Sequence, residues 1–280
     1  MEMVTLSPQR NSLYLSFALC CLVSSIAQAE GKWGRIELPA RGVLSLEEAT
    51  VECWVKFNFD PKTPATGRWN SRGVWFTFQI PKGAGLPGSL ITFGAGLKDT
   101  SRHRRKSSAC LFRVGFMIDG EELPHPIFFD ATKWGKGKWH HMAVAWTNAR
   151  RVSIYVDGKL IHQRQYPIPF RKTVPRTARI VLGQTGYVGN NSLVIDEVRI
   201  SSIARRAEEL GFFRVPLNPD PYTMLLENFD NVTTAAGKTL TVPTTIALVG
   251  GPRSFEVVGG KIVPGKVANG FAFDPRAQQQ

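Results

Sequence analysis

The chain has 280 residues, of which 43% are hydrophobic and 20% charged, and its formal net charge at pH 7 is +13. An ordinary apolar content of this kind allows a sizeable core without disulfide or metal staples. The basic charge favours an anionic partner, such as an acidic polysaccharide, an envelope polymer or a lipid surface. Because no nucleic-acid recognition motif is present, nucleic acid is excluded from the expected partners.

Residues 1–29 have the features of a secretion signal that is removed from the mature protein. Arg10 supplies a positive charge, residues 13–26 are apolar but too few to span a bilayer as a helix, and the AQA of residues 27–29 fits the cleavage rule. An uncut membrane anchor is the alternative. Cleavage would leave a chain that begins at Glu30. The sequence therefore predicts a secreted, periplasmic or cell-surface protein with no transmembrane segment after cleavage.

Strand patterns begin soon after the cleavage site. Residues 34–39 predict a first strand, and residues 49–57 (ATVECWVKF) predict a second by their strict alternation. In this second strand the side chains expected to point inward are Val51, Cys53, Val55 and Phe57, and those expected to point outward are Thr50, Glu52, Trp54 and Lys56. Further strands are predicted over residues 74–80, 90–93, 109–118 and 127–129.

Two cysteines, Cys53 and Cys110, remain after cleavage. Each has the strand parity of hydrophobic neighbours, so both are expected in the core. An even pair of cysteines in an oxidising compartment predicts a disulfide between them. Two buried free thiols are the alternative.

Residues 139–161 predict a meander, in which two alternating strands precede a tight hairpin. Asp157-Gly158 follows a β-branched run and suits a type I′ turn, which needs a positive φ at both central residues. Strands follow over residues 179–182 and 193–200, and Ser201 or Ser202 is expected to cap a short helix that runs to about residue 210. Short strands separated by turns predict an all-β fold, an antiparallel β-sandwich or jelly roll.

Three segments of the chain resemble a known family. They are WHHMAVAWTNARRVSIYVDGKLI (139–161), IVLGQ (180–184) and LVIDEVRISSIA (193–204). Together they are similar to the laminin G-like, concanavalin A-like lectin/glucanase jelly roll, and residues 49–57 match an early strand of that family. The resemblance covers roughly residues 34–210. It implies the fold rather than the ligand, because lectins, adhesion modules and hydrolases share this fold.

The C-terminal part has an unexpected order. The jelly-roll domain is predicted over residues 30–213 and a proline-rich linker over residues 214–223, but residues 224–230 (MLLENFD) and 260–274 (GKIVPGKVANGFAFD) resemble opening strands of the same family. Either residues 224–280 fold back onto the sandwich beside residues 34–39, or they begin a truncated second repeat. Docking is favoured, because a lone strand pair is marginally stable in water.

Asp196 is the candidate metal ligand. Its strand parity groups it with Val194, Val198 and Ile200, which predicts a carboxylate in the core. Such a group is costly to bury unless it is paired, hydrogen-bonded or bound to a metal. Hard oxygen ligands suit Ca²⁺, and the resemblance also implies a structural calcium near this aspartate. Asp230 is a second expected ligand if the tail docks; a buried Asp196 satisfied by backbone amides or an arginine is the alternative.

No catalytic residues are expected. Glycoside hydrolysis needs two carboxylates that face one sugar, and no predicted strand carries two acidic residues on the same side. None of the 5 histidines has the spacing of a metal site. No nucleophile elbow or phosphate-binding loop is present either.

Carbohydrate binding needs less machinery, namely an aromatic surface and basic side chains. Trp54 and Trp75 are the aromatic candidates, although each could pack beneath a loop instead. The basic candidates lie in two loops and are Arg102, Arg104, Arg105, Arg171 and Lys172. The sequence therefore predicts an exported, non-catalytic module that binds an anionic polysaccharide or glycoconjugate. The alternatives are a glycoside hydrolase or lyase of the same fold and a protein-interaction module at the cell surface.

Overall fold

A computed structural model describes most of the chain after the predicted signal. The described residues are 35–58, 60, 71–79, 90–97, 110–118, 121–122, 127–130, 133–147, 151–165, 174, 176–183, 193–213, 215–230, 256–258 and 261–273. For the ranges 71–79, 90–97, 110–118, 121–122, 127–130 and 256–258 the backbone alone is described. The predicted signal, residues 1–29, lies outside the described residues. Within them, no helix is long and apolar enough to cross a membrane.

Most of the described residues lie in β-strands. In chain order these are β1 (Arg35–Pro39), β2 (Ala49–Phe57), β3 (Ser71–Gln79), β4 (Leu90–Leu97), β5 (Cys110–Ile118), β6 (Glu121–Glu122), β7 (Ile127–Asp130), β8 (Trp139–Trp146), β9 (Arg151–Val156), β10 (Lys159–Gln165), β11 (Arg179–Gly183), β12 (Leu193–Ser201), β13 (Thr223–Glu227), β14 (Glu256–Val258), β15 (Lys261–Pro264) and β16 (Asn269–Phe273).

These strands form two antiparallel sheets, which confirms the predicted all-β sandwich. Sheet A has the order β14-β1-β11-β3-β4-β5-β6, and β7 also pairs with β5. Sheet B has the order β10-β9-β8-β2-β12-β16-β15, and β13 also pairs with β12. The predicted meander and hairpin form one half of sheet B as β8, β9 and β10.

The core lies between the two sheets, as the strand alternation predicts. The inward side chains of β2, from Val51 to Phe57, are all buried there. Side chains of β8 and β9 at the same parity extend this layer, and Leu38 of β1 and Ile180 of β11 face it from sheet A. Burial of this apolar surface supplies most of the free energy that favours folding.

The C-terminal strands pair with strands from the first part of the chain. β16 pairs with the first half of β12 and β13 with its second half, so β12 is bonded along both edges. In sheet A, β14 pairs with β1, the strand at residues 34–39 that was predicted to receive the tail. This pairing is the geometry that the docked alternative describes.

The prediction of a short helix after β12 is wrong. Ser201 belongs to β12, and only two 3-10 turns follow, at Ala207–Glu209 and Gly211–Phe213. The backbone N–H groups of Ala204 and Arg205 donate to side chains near the start of β2, to Glu48 at 3.0 Å and to Thr50 at 2.8 Å. These tertiary hydrogen bonds hold the segment in an extended form where a helix would need its own bonds.

Candidate functional site

The face of sheet B that points away from the core carries polar and aromatic side chains, and we call it the outer face. Trp54 of β2 lies there between His141 of β8 and Asp196 of β12. Two residues further along β2, Lys56 lies beside Trp139 of β8. The outer face is largely covered by residues 204–217 and by the turn between β15 and β16.

Trp54 points outward, as its parity predicts, but its ring is covered. Phe212 stacks against it with ring centroids 5.8 Å apart, and His141 contacts it edge-on at 5.4 Å. The ammonium of Lys266 lies 4.4 Å from the ring centroid. Only 4% of Trp54 is exposed. The prediction that Trp54 stacks on a sugar is therefore wrong for this conformation, because the segment after β12 packs over the ring.

The other predicted ligand-binding residues stay predictions. Trp75 lies on β3 in sheet A, where the structure describes the backbone. The predicted basic contacts lie outside the described residues, and they are Arg102, Arg104, Arg105, Arg171 and Lys172.

A β-bulge interrupts β12 at Asp196 and Glu197. Asp196 pairs with Trp54, but the next pair joins Arg199 to Glu52, so three steps along β12 match two along β2. Glu197 has a φ of 51°, in the left-handed region. A bulge of this kind inserts one extra residue and changes the side-chain parity of the strand beyond it.

The bulge makes the predicted orientation of Asp196 wrong. Leu193 and Ile195 face the core before it, and Val198 and Ile200 face the core after it. The uniform period of two that placed Asp196 with the latter pair is therefore broken. Asp196 lies on the outer face instead, and the tail buries it completely there.

Backbone amides surround the Asp196 carboxylate. One oxygen, Oδ2, accepts from the N–H groups of Lys266 at 2.7 Å and Val267 at 3.0 Å, both in the turn between β15 and β16. The other, Oδ1, accepts from the N–H of Glu197 at 2.7 Å. The Asp196 side chain therefore binds the hairpin of β15 and β16 to the centre of sheet B.

Glu197, Glu227 and Asp230 form an acidic cluster with Asp196. Burial raises the pKa of Asp196 to about 7, against the lowering effect of its backbone hydrogen bonds, and the charge of Glu197 adds to the increase. Burial also raises the pKa of Glu227 to about 7, helped by the charges of Asp230 and Asp196. The pKa of Glu197 is raised for the same main reason. The cluster thus holds protons at a pH where exposed carboxyl groups are ionised.

The acidic cluster has some, but not all, of the features of a calcium site. Its chemistry suits a hard cation, and among the described contacts Oε1 of Glu197 and Oε2 of Glu227 have no hydrogen-bond partner. However, no three His, Cys, Asp or Glu residues in the described ranges have the spacing that a metal ion needs. Both oxygens of Asp196 accept backbone N–H groups, as the amide alternative predicts. As placed, the residues do not fit calcium, and its binding at Asp196 and Asp230 stays a prediction from the resemblance.

Gly265 lets the turn approach Asp196, and replacing it with alanine should loosen the tail. A Cβ at this position would lie 2.3 Å from the backbone oxygen of Asn269 and 2.5 Å from Oδ2 of Asp196. Overpacking against backbone should lower the free energy of unfolding by about 1–3 kcal/mol, measured by urea denaturation. Ala268→Ser, at an exposed position in the same turn, is the matched control. Equal stability of the two variants would contradict a tight turn.

A buried charged network joins the middle of sheet B to the segment that covers it. Glu52 accepts from Nε of Arg199 at 2.6 Å, lies 3.0 Å from Nε2 of His141, and accepts from the backbone N–H of Gly211 at 2.7 Å. Burial alone would raise the pKa of Glu52, but the hydrogen bond with His141 and the charge of Arg199 outweigh it and lower this pKa. The ionised carboxylate therefore holds the segment around Gly211 in place.

Cys53 is buried in the core, as its parity predicts, and forms no disulfide with another cysteine whose side chain the structure describes. Burial raises the pKa of its thiol, and the charges of Glu52 and Asp196 add to this. Its predicted partner Cys110 begins β5 in the other sheet, and the side chain of that residue lies outside the described part of the chain. The disulfide stays a prediction.

One end of sheet B is exposed, basic and aromatic. Residues 133–138 form a loop over this end, in which the N–H of Gly137 donates to the carbonyl of Phe57 at 2.8 Å and Trp134 packs on the Phe57 ring at 5.3 Å. After the loop comes Trp139, and the ammonium of Lys56 lies 4.7 Å from its ring centroid. The exposed side chains of the loop are Lys133, Lys136 and Lys138. We call these three lysines with Lys56 and Trp139 the basic end.

The basic end was not predicted from the sequence. Its signal was present in the segment KWGKGKW (133–139), where lysines alternate with glycine and tryptophan. The pattern alone does not show that Lys56, far away in sequence, belongs to the same surface, because this depends on how the loop folds against Phe57.

The larger part of the chain matches a known protein family. Residues 30–211 match the family described as the concanavalin A-like lectin/glucanases superfamily. No curated protein gives a significant sequence match. A native heptameric pentraxin of the SAP type from Limulus polyphemus is 12% identical with a TM-score of 0.39, and the match covers 64% of this chain and 74% of the pentraxin.

Receptor-binding domains of bacterial toxins are also similar in structure. The binding domain of botulinum neurotoxin serotype D is 14% identical with a TM-score of 0.42, over 62% of this chain and 38% of that domain. The receptor-binding domain of the C/D mosaic serotype is 15% identical with a TM-score of 0.41, over the same shares. This chain thus spans well under half of the toxin domains. On the family match over residues 30–211, the chain belongs to the concanavalin A-like lectin/glucanase superfamily, as a laminin G-type member.

Proposed function

We propose that the protein is an exported carbohydrate-binding module without catalytic activity, and that its ligand is an anionic polysaccharide or glycoconjugate. The observation that carries the proposal is the basic end, where the ammonium of Lys56 lies over the half-buried ring of Trp139 and exposed lysines lie in the loop that precedes this ring. A ring with an ammonium over it offers both a surface for a sugar face and a partner for a carboxylate or sulfate. The net charge of +13 would draw such a polymer to the protein.

The carboxylates of the outer face support binding over catalysis. Glu52 is engaged by Arg199, His141 and Gly211, and Asp196 accepts backbone N–H groups. Each is buried beneath covering residues. A glycosidase would need two carboxyl groups that reach one sugar from opposite sides, and these two are held in structural roles.

Removing the lysines of the loop should weaken binding to an anionic polymer selectively. For Lys136→Ala combined with Lys138→Ala, we expect the affinity for dextran sulfate to fall about tenfold and to depend less on salt, since two charge contacts are lost. Trp139→Ala should weaken binding at every salt concentration, because it removes the ring. Isothermal titration calorimetry with dextran sulfate, polygalacturonate and neutral dextran measures each affinity.

Arg206→Ala is the matched control for these charge changes. Arg206 is exposed and lies beyond the other end of β2, near residues that contact Glu48 and Thr50. Its loss should leave polymer binding unchanged. Equal affinity for neutral dextran and dextran sulfate would overturn the anionic ligand. Binding to none of the polymers would overturn carbohydrate recognition and favour a protein-interaction module.

A further inference from the structure

Exposed hydrophobic side chains gather at the tip of the hairpin formed by β9 and β10. Among the described residues, Leu160, Ile161 and Phe213 are 49%, 39% and 63% exposed. The register of β10 shifts between Leu160 and His162, so Ile161 is an extra residue at the sheet edge. A Cβ at Gly158 would lie 2.9 Å from the ring of Phe213, so this ring rests on the hairpin turn. We call Leu160, Ile161 and Phe213 the apolar tip.

The apolar tip lies at the same end of sheet B as the loop of residues 133–138. Asp157, in the hairpin turn, lies 2.8 Å from Nδ1 of His140, and its other oxygen accepts the backbone N–H of His141 at 2.9 Å. The ring of His140 stacks on Trp134 of the loop with centroids 4.1 Å apart and planes 9° from parallel. Exposed lysines therefore flank exposed hydrophobic groups at the same end of the sandwich.

Among the described residues around the tip, the exposed charged side chains are mainly basic. Lys133, Lys136 and Lys138 are exposed on the loop, and Lys159 is exposed at the start of β10. Asp157 is the acidic residue of the turn, and its hydrogen bonds with His140 and His141 lower its pKa against the effect of burial. Its carboxylate thus stays ionised and offsets one of the four lysine charges.

We propose that this end of the protein docks on an anionic lipid bilayer. The apolar tip enters the boundary between headgroups and acyl chains, and the lysines face the lipid phosphates. Neither signal suffices alone, because stable attachment to a membrane surface takes apolar insertion together with basic attraction. Each lysine near an anionic surface strengthens binding by about fivefold. The proposal does not depend on glycan binding, although both would use the same loop.

Vesicle co-sedimentation of the full mature chain tests the proposal. The probes are phosphatidylcholine vesicles with and without phosphatidylglycerol, neither of which carries a glycan. The unmodified protein should bind the anionic vesicles and not the zwitterionic ones. Leu160→Ser combined with Phe213→Ser should weaken that binding about tenfold or more, while its affinity for dextran sulfate stays unchanged because the loop lysines are intact.

Tyr222→Ser is the matched control. Tyr222 is also 49% exposed, but its carbonyl accepts from the N–H of Ser202, just beyond β12 at the opposite end of the sheet. Thermal unfolding checks that the variants fold. Lys159→Glu reverses a charge but keeps Leu160, Ile161 and Phe213, and it should weaken binding to anionic vesicles as well. No binding of the unmodified protein to anionic vesicles would overturn the proposal. So would equal binding by the apolar-tip variant, which would indicate attraction by charge alone.

Discussion

Replacing Glu52 with alanine is expected to lower the free energy of unfolding by about 3–5 kcal/mol, the largest effect of any single substitution considered. The change leaves the guanidinium of Arg199 buried without its carboxylate, and it removes the acceptor for the N–H of Gly211. It should also release Phe212 from Trp54, because Phe212 follows Gly211 directly. Urea denaturation measures the stability, and a change of fluorescence that is absent when Trp54 is replaced by phenylalanine reports the exposure of Trp54.

Glu208→Gln is the control for the loss of one acidic side chain. Glu208 has a side chain that is 63% exposed in the same covering segment, so its replacement should change stability by less than about 0.5 kcal/mol. A double-mutant cycle with Arg199→Ala should show strong coupling to Glu52. Additive effects of the two substitutions would show that the network does not act as one structure.

In the presence of a chelator, stability is expected to fall as the pH rises from about 4 to about 7. The pKa values of Asp196 and Glu227 rise from their ordinary 3.8 and 4.5 to about 7 in the folded protein. The folded state therefore holds protons that the unfolded state releases, and this stability is lost as the pH passes through the folded values. At about 1.4 kcal/mol per pKa unit, the two groups account for a loss of up to about 8 kcal/mol once the pH exceeds the folded values. Glu52, Asp157 and Asp220, whose pKa values are lowered, act in the opposite direction, at acidic pH.

Glu227→Gln isolates one of these groups. The amide oxygen can still accept from the N–H of Phe229, as Oε1 of Glu227 does at 2.8 Å. The variant should show a flatter pH profile between pH 4 and about 7, whereas Glu208→Gln should follow the unmodified protein. An unchanged profile in Glu227→Gln would contradict a raised pKa.

At pH 8, calcium added after chelation tests the calcium prediction, since an unchanged melting temperature would argue against binding at Asp196.

The strands with uninterrupted alternation could be predicted from the sequence. The prediction for β2 has the observed bounds, because its inward and outward positions alternate without a break. The hairpin at Asp157-Gly158 was predictable for a local reason as well, since both residues have the positive φ that its turn requires. In these cases neighbouring residues alone decide the backbone conformation.

The site depended on contacts between distant parts of the chain, which no local pattern shows. The bulge at Asp196 arises where two different strands, β16 and β13, meet along one edge of β12. Parity predicted that Trp54 points outward but could not show that Phe212 would cover it. The prediction of a helix after Ser201 was wrong because the side chains of Glu48 and Thr50, near the start of β2, accept hydrogen bonds from the backbone N–H groups of that segment.

The pairing of the tail has a consequence for how the protein is made. Residues 30–211, which match the family, lack the partners of one edge of β1 and of one edge of β12 until residues 223–273 have been synthesised. Those two edges therefore stay unpaired until residues 223–273 have emerged from the ribosome. If the protein is exported as proposed, this delay helps, because a translocation channel accepts an open chain more readily than a closed one.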